Sequence, residues 1–316
     1  MTFMVIFVSL FGVSILALFA LGLLTASGFP KWSQWSLEPF DARETAQAIK
    51  CAFGLSERAV VKAVFVLGTG WGDTIRLENE KSIVLRRLPG FRGLPDHPTH
   101  QRKLCFGYLD GEPVFVLRGR IHMNEVPYST KLANMVRLQI EMFRYLGVER
   151  FVLTAAVGGL VRGHGLGDQQ AKTGTVGIAD GFVTIFAPDM PLYGGEFMAV
   201  ETTLDPRLRK LALEACSEVG LEGFEGGHVM VRGPQFEGTR YDKRTLAEAG
   251  AKMVGMSVLP EACVAALWDA KVLVLGFVSN DDVEAHSDEL VQTRVKAAAD
   301  KLGVLIKAIN RRFKTL

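Results

Sequence analysis

The sequence predicts an α/β domain, and three observations carry that expectation. Six apolar runs of strand length recur along the chain, the runs end in glycine-rich or polar loops, and helical patterns lie between several of them. Runs that are apolar throughout suit strands covered on both faces, and open sheets of such strands gather their ligand groups at the carboxyl ends.

The first run, Val64-Phe65-Val66-Leu67, stops at Gly68-Thr69-Gly70. Two glycines let the backbone turn with its N–H groups exposed and Thr69 adds a hydroxyl, which suits an anion and equally an ordinary strand-to-helix turn. Val114-Phe115-Val116-Leu117 delivers Arg118, Arg120 and His122 past its end. The guanidinium forks and the imidazole match phosphate oxygens, with a solvated basic turn as the alternative. Phe151-Val152-Leu153-Thr154 runs into Ala155-Ala156-Val157-Gly158-Gly159, small enough for a ligand or a packed helix to approach the main chain. His228-Val229-Met230-Val231 precedes Gly233-Pro234-Gln235-Phe236-Glu237, where Phe236 offers a flat face and Glu237 an acceptor for ring N–H groups; a surface glutamate after a proline turn is the other reading. Lys252 to Met256 leads to Ser257, and Val272 to Val278 leads to Ser279-Asn280-Asp281-Asp282. The carboxyl-terminal stretch reads as one helix capped by Ser287, with Asp288 and Glu289 in its first turn and Arg311 and Arg312 in its last. Val291, Val295, Ala298, Leu302, Leu305, Ile306 and Ile309 form its apolar stripe at three- and four-residue spacing.

A net charge of +2 gives no general reason to expect nucleic-acid binding. The four cysteines, Cys51, Cys105, Cys216 and Cys263, are scattered without CxxC or His–Cys spacing, so no metal site is expected and a reducing compartment is favoured. Repeats, low-complexity tracts and interdomain linkers are absent from the sequence. Residues 1–28 stand apart from the single domain expected over 29–316. Met4 to Leu24 carries no charged residue and is long enough to span a bilayer as a helix, which reads first as a membrane anchor. A signal peptide cleaved at Ala26-Ser27-Gly28 competes with it but lacks a preceding Lys or Arg, and a start codon placed too far upstream is the third reading. Lys31, on the carboxyl side, favours a cytoplasmic domain.

Taken together, GTGWGD, His100, GRIHMNE, TAAVGGL, GPQFEGT, VGMSVLPE, GFVSN and HSDELV resemble the purine nucleoside phosphorylase family, in its homotrimeric branch that includes methylthioadenosine phosphorylase. The match keeps its order from about Val61 to about Val291. The resemblance implies a single α/β domain around a distorted mixed sheet flanked by helices, inorganic phosphate as co-substrate with no cofactor or metal, and a homotrimer in which Phe197 of a neighbouring subunit covers the ribose. It assigns phosphate to Thr69, His100, Arg120, His122, Ala156 and Ser257, with Arg120 in a solvent-reached pocket. Met256 then lies under the ribose, His286 near its 5′ position, Phe236 over the ring, and Glu237 and Asn280 hold the purine.

This chain departs from the family pattern at several places. His100 sits in His97-Pro98-Thr99-His100-Gln101, without the glycines that flank the family's histidine; Asn124-Glu125-Val126 replaces Tyr-Glu-Gly; and Ala155 replaces an asparagine. The stretch Arg162 to Thr175 is longer than usual, and the strand after it reads Gly177-Ile178-Ala179-Asp180-Gly181.

Breaking an N-glycosidic bond passes through an oxocarbenium-like sugar, which needs an anion on one face and a stabilised leaving group on the other. Phosphate serves as nucleophile and counter-charge, so no side chain need become covalently attached. The expected reaction turns purine nucleosides into free purine and ribose 1-phosphate, with His122 on phosphate, Asn280 donating to N7 and Glu237 accepting N1–H, which favours inosine and guanosine. Asp282 is the alternative base reader. A catalytically weak nucleoside-binding homologue and a methylthioadenosine-type enzyme are the competing functions; a hydrolase would leave Arg120 and Ser257 without an anion. For the amino-terminal segment the expectation is that full-length protein sediments with membranes and resists carbonate extraction while a chain beginning at Phe29 does neither. Full-length protein recovered soluble and uncleaved would overturn the anchor.

Overall fold

The computed structural model describes residues 41–98, 100–125, 129–161, 169–187, 189–193, 195–233, 239–283 and 287–316. Residues 4–24, read as an anchor, lie outside these, and among the described residues no helix is long and apolar enough to cross a membrane.

Helix α1 (Ala42–Phe53) starts on Asp41, whose carboxylate accepts from the Arg43 and Glu44 N–H groups, and ends at Gly54 with φ 66°. Strands β1 (Ala63–Leu67), β2 (Glu78–Val84), β3 (Lys103–Leu109) and β4 (Glu112–Arg118) follow, then α2 (Thr130–Arg144), β5 (Arg150–Gly159) and β6 (Val176–Val183). The rest of the chain forms α3 (Val200–Thr203), α4 (Pro206–Glu218), β7 (Gly223–Met230), α5 (Arg240–Glu248), β8 (Ala251–Gly255), α6 (Leu259–Ala266), β9 (Lys271–Asp281) and α7 (Asp288–Arg312). All six apolar runs are strands. Three strands have no such signature: β2 is exposed over most of its length, β3 is joined to β4 by Asp110-Gly111, both at positive φ, a two-residue hairpin turn, and β6 is interrupted by Gly177, Asp180 and Gly181.

The described strands form one sheet in the order β2-β3-β4-β1-β5-β8-β7-β6-β9, and β9 returns to pair with β5. The last five strands therefore close on themselves while the first four fan out. β5 makes the junction: Arg150 to Leu153 pair in parallel with β1, the strand pairs with β9 along its length, and Gly158-Gly159 pair with β8. Parallel and antiparallel ladders are both present, which gives the distorted mixed sheet expected above.

Burial follows the period-two logic of strands covered on both faces. Val64 and Val66 of β1 pack with Ile49, Phe53 and Phe143 of α1 and α2, whereas Phe65 and Leu67 pack with Ala212 of α4 and Leu302 and Ile306 of α7. Ser287 caps α7 by accepting from the Leu290 N–H, and Arg311 and Arg312 both reach Glu218. The first turns of α7 lie against the loop after β1. A Cβ on Gly70, whose φ is 76°, would overlap Val295 Cγ1. Gly70→Ala is accordingly expected to destabilise the fold by about 2–5 kcal/mol, from a left-handed backbone plus overpacking, as read by denaturant unfolding.

Candidate active site

A cavity of about 500 Å³ opens where β1, β5, β8 and β9 end. Thr69, His100, His122, Ala156, Met256, Ser257 and Asn280 all line it, so seven of the residues singled out from the sequence converge on one space. Phe236, Glu237 and His286 lie outside the described residues.

Arg120 is placed differently from the expectation of a solvent-reached guanidinium. It is 1% exposed and does not line the cavity. Its Nη1 donates to Ser257 Oγ at 2.9 Å, its Nη2 donates to the Thr154 carbonyl at 2.8 Å, and its Nε lies 2.7 Å from Oε1 of Glu261, itself 2% exposed. That last approach is a charge contact rather than an aligned hydrogen bond. Burial lowers the pKa of Arg120 and the charge of Glu261 opposes the shift. Gly68 permits the arrangement, because a Cβ there would lie 2.9 Å from Nη1 and overlap the Thr154 carbonyl oxygen. Glu261 lies within the VGMSVLPE motif, which by itself assigns it no role. The available signal was a lone carboxylate in an otherwise apolar helical turn, which demands a buried partner.

Between Ser257 and α6 the chain passes through Val258 at φ 66°. A β-branched residue in that region is strained, roughly 1–3 kcal/mol, and the surrounding core must hold it there. The consequence is local: β8 stops and Ser257 is left at the cavity wall, in reach of Arg120.

His100 reaches the cavity although its flanking glycines are missing. Room comes instead from Gly119, at φ 83°, where a Cβ would lie 2.8 Å from His100 Cβ, and the sharp turn is made by Arg102 at φ 50°. Arg102 is 3% exposed and pairs with Glu125, whose Oε1 accepts from the His122 backbone N–H at 2.9 Å and faces His122 Nδ1 at 3.2 Å. Burial raises the Glu125 pKa, but the hydrogen bonds from His122 and Arg102 outweigh it and bring it down to about 2. Burial, then the neighbouring His122 and Arg120, push His100 down to about 2, so it is a neutral imidazole at pH 7. Asn124, at the family's tyrosine position, accepts the Gly233 N–H at 3.3 Å and so ties this turn to the residue that opens the GPQFE segment. The Ala155 carbonyl accepts from Nε1 of the fully buried Trp71 at 3.0 Å, which anchors the backbone where the family's asparagine is absent.

A register shift between Val157 and Gly158 puts Asn280 opposite Gly158. Such a bulge re-aims side chains, and Asn280, 2% exposed, faces the cavity with its Oδ1 accepting from the Ser279 hydroxyl at 3.2 Å. The neighbouring acids are committed elsewhere. Asp281 accepts from Thr173 N–H and Oγ1, Asp282 accepts from the Val161 N–H, and neither lines the cavity. Behind Gly255, whose added Cβ would lie 3.1 Å from its Nε2, His228 is 1% exposed, has no hydrogen-bond partner on either ring nitrogen among the described residues, and is pushed down to about 4 by burial and then by Arg120.

The model of the phosphorylase superfamily matches residues 62–311. The chain belongs to that superfamily. Purine nucleoside phosphorylase 1 of Geobacillus stearothermophilus is 32% identical over 257 residues, covering 78% of this chain and 89% of the relative. The purine nucleoside phosphorylase of Mycobacterium tuberculosis is 31% identical over 278 residues, covering 86% and 96%. The crystal structure of Schistosoma mansoni purine nucleoside phosphorylase in complex with inosine superposes with a TM-score of 0.70 at 25% identity, covering 86% of this chain and 95% of that one. The resemblance read from the motifs and the fold it implied are thereby borne out, and the chain stands among the purine nucleoside phosphorylases of the superfamily.

In this member of the superfamily the buried pair sets the stability of the site. Glu261→Gln and Arg120→Ala should each cost about 3–5 kcal/mol, because each leaves the other charge buried and unpaired, while the double replacement Arg120→Met with Glu261→Leu should recover most of that loss. Urea titration followed by circular dichroism reads all three; single variants as stable as the unsubstituted protein would refute the assignment.

Proposed function

We propose that the protein cleaves purine nucleosides with phosphate to give free purine and ribose 1-phosphate, and that it prefers inosine and guanosine to adenosine. The observation that carries this reading is one cavity wall holding both the Ser257 hydroxyl, backed by the Arg120 guanidinium, and the Asn280 amide. Phosphate is held by Thr69, His100, His122, Ser257 and the Ala156 main chain, with Arg120 acting through Ser257 at the back of the pocket. Glu125 fixes the His122 ring by its Nδ1 edge and leaves Nε2 for a phosphate oxygen. Seated there, phosphate lies under the anomeric carbon as nucleophile and counter-charge to the developing oxocarbenium ion.

Leaving-group stabilisation belongs to the base end. Asn280 donates to N7 as negative charge accumulates on the departing purine, and Glu237 accepts from N1–H and from a 2-amino group when present. Adenine has a lone pair at N1 and would meet the carboxylate with repulsion. The commitment of Asp281 and Asp282 to Thr173 and Val161 favours Asn280 over Asp282 as base reader. Phe236 covers the ring, Met256 underlies the ribose and His286 stands at its 5′ position. A homotrimer completes the site: Phe197 is 92% exposed, on a loop whose Glu196 is gripped by Arg137 at 2.6 and 2.9 Å, so it is offered outward from a held backbone.

A second reading, a weakly catalytic nucleoside-binding homologue, draws on Asn124, which stands in the tyrosine position and whose side-chain oxygen accepts the Gly233 N–H. Purine release from inosine measured with and without phosphate separates the readings; equal rates in phosphate-free buffer would refute phosphorolysis, and no release under either condition would favour the binding homologue. Asn280→Asp should lower the inosine-to-adenosine ratio of kcat/KM by about ten- to a hundredfold, since it exchanges a buried donor for an acceptor.

A further inference from the structure

Three histidines meet at one wall of the cavity. Ring centroids are 4.7 Å apart for His100 and His122, 4.9 Å for His97 and His100, and 6.0 Å for His97 and His122. Glu125 joins them, with Oε1 facing His122 Nδ1 at 3.2 Å and Oε2 held by Arg102. One ring nitrogen each from His97 and His122 and one oxygen of Glu125 lie within 4.8 Å of one another. His97 has no part in the proposed reaction, and the spacing rules that argued against a metal look for ligands close in sequence, whereas His97 and His122 are brought together by the fold.

We propose that His97, His122 and Glu125 form a binding site for a four-coordinate transition-metal dication such as Zn²⁺, and that a metal bound there inhibits phosphorolysis by engaging His122 and Glu125. Two imidazole nitrogens and one carboxylate oxygen suit zinc and its neighbours far better than Mg²⁺ or Ca²⁺. Tetrahedral bonds of about 2.0–2.1 Å put adjacent ligand atoms about 3.3–3.4 Å apart. His122 Nδ1 and Glu125 Oε1, at 3.2 Å, already have that separation, so a side-chain rotation of half-buried His97 completes the set. Arg102 on Oε2 orients the carboxylate from outside the site and leaves Oε1 to the metal. A three-ligand site keeps its fourth position for water or a phosphate oxygen.

The binding part stands without the functional reading; the inhibition part rests on it. Equilibrium dialysis of the full chain against zinc chloride should give one Zn²⁺ per chain, and His97→Ala and His97→Gln, checked for folding by circular dichroism, should each weaken binding by about tenfold or more. Cobalt loaded in place of zinc should show the intense visible bands of a four-coordinate ion, lost in both variants. Absence of stoichiometric zinc, or variants that bind as tightly as the unsubstituted protein, would overturn the site. Zinc should slow purine release from inosine and phosphate in the unsubstituted chain, a chelator should restore it, and His97→Ala should be insensitive. Zinc bound without inhibition would overturn the inhibitory role. A chain with no phosphate-dependent release would fail the functional reading instead, and dialysis would still decide the site.

Discussion

The guanidinium of Arg120 is the charge around which the site is assembled. It reaches the Thr154 carbonyl of β5, the Ser257 hydroxyl after β8 and the Glu261 carboxylate of α6, and so joins elements that are far apart in sequence. A cation buried this deeply is tolerable only with an opposite charge and aligned acceptors. Glu261 supplies the charge, and the strand ends supply the acceptors. The same constraint explains why glycine is needed at position 68, where the backbone must pass within contact distance of the guanidinium. Because Ser257 is held by a group that water does not reach, its hydroxyl is oriented before any ligand arrives, and such preorganised dipoles act on transition-state charge without reorganisation.

Pairing geometry decides the other half of the cavity. β5 serves three partners, leaving β1 after Leu153 and continuing against β9 to Gly159. Gly159 must lack a side chain, since a Cβ would overlap the Ala171 carbonyl oxygen. The register shift at Val157 and Gly158 is what this divided allegiance produces, and it carries Asn280 to the wall while its acidic neighbours turn to Thr173 and Val161.

The departures from the family pattern are reorganised contacts rather than gaps. Arg102 takes the left-handed turn and, from the same position, grips Glu125, which in turn holds His122. Asn124 clasps Gly233, and Trp71 holds the Ala155 carbonyl. Each substitution changes which group does the holding. The cost of the Arg102 backbone is offset by a charge-assisted bond to a carboxylate brought down to about 2.

What the sequence by itself determined is local in its physics. Continuous apolar runs gave six strands, the Ser287 cap and the three- and four-residue stripe gave α7, and the order of motifs pointed to one ligand site, because burial on both faces, capping and side-chain period depend on residues a few positions apart. The exposed β2, the hairpin partner β3 and the glycine-interrupted β6 lacked an apolar run, although Asp110-Gly111 carried a turn signal for β3. Only the tertiary structure decided the closure of β9 onto β5, the burial of Arg120 against Glu261, the bulge that aims Asn280 and the meeting of His97 with His122. Those features depend on which strands pair, in what register, and on which charges lose their water together. Such pairings are non-local, and no periodicity of the chain encodes them.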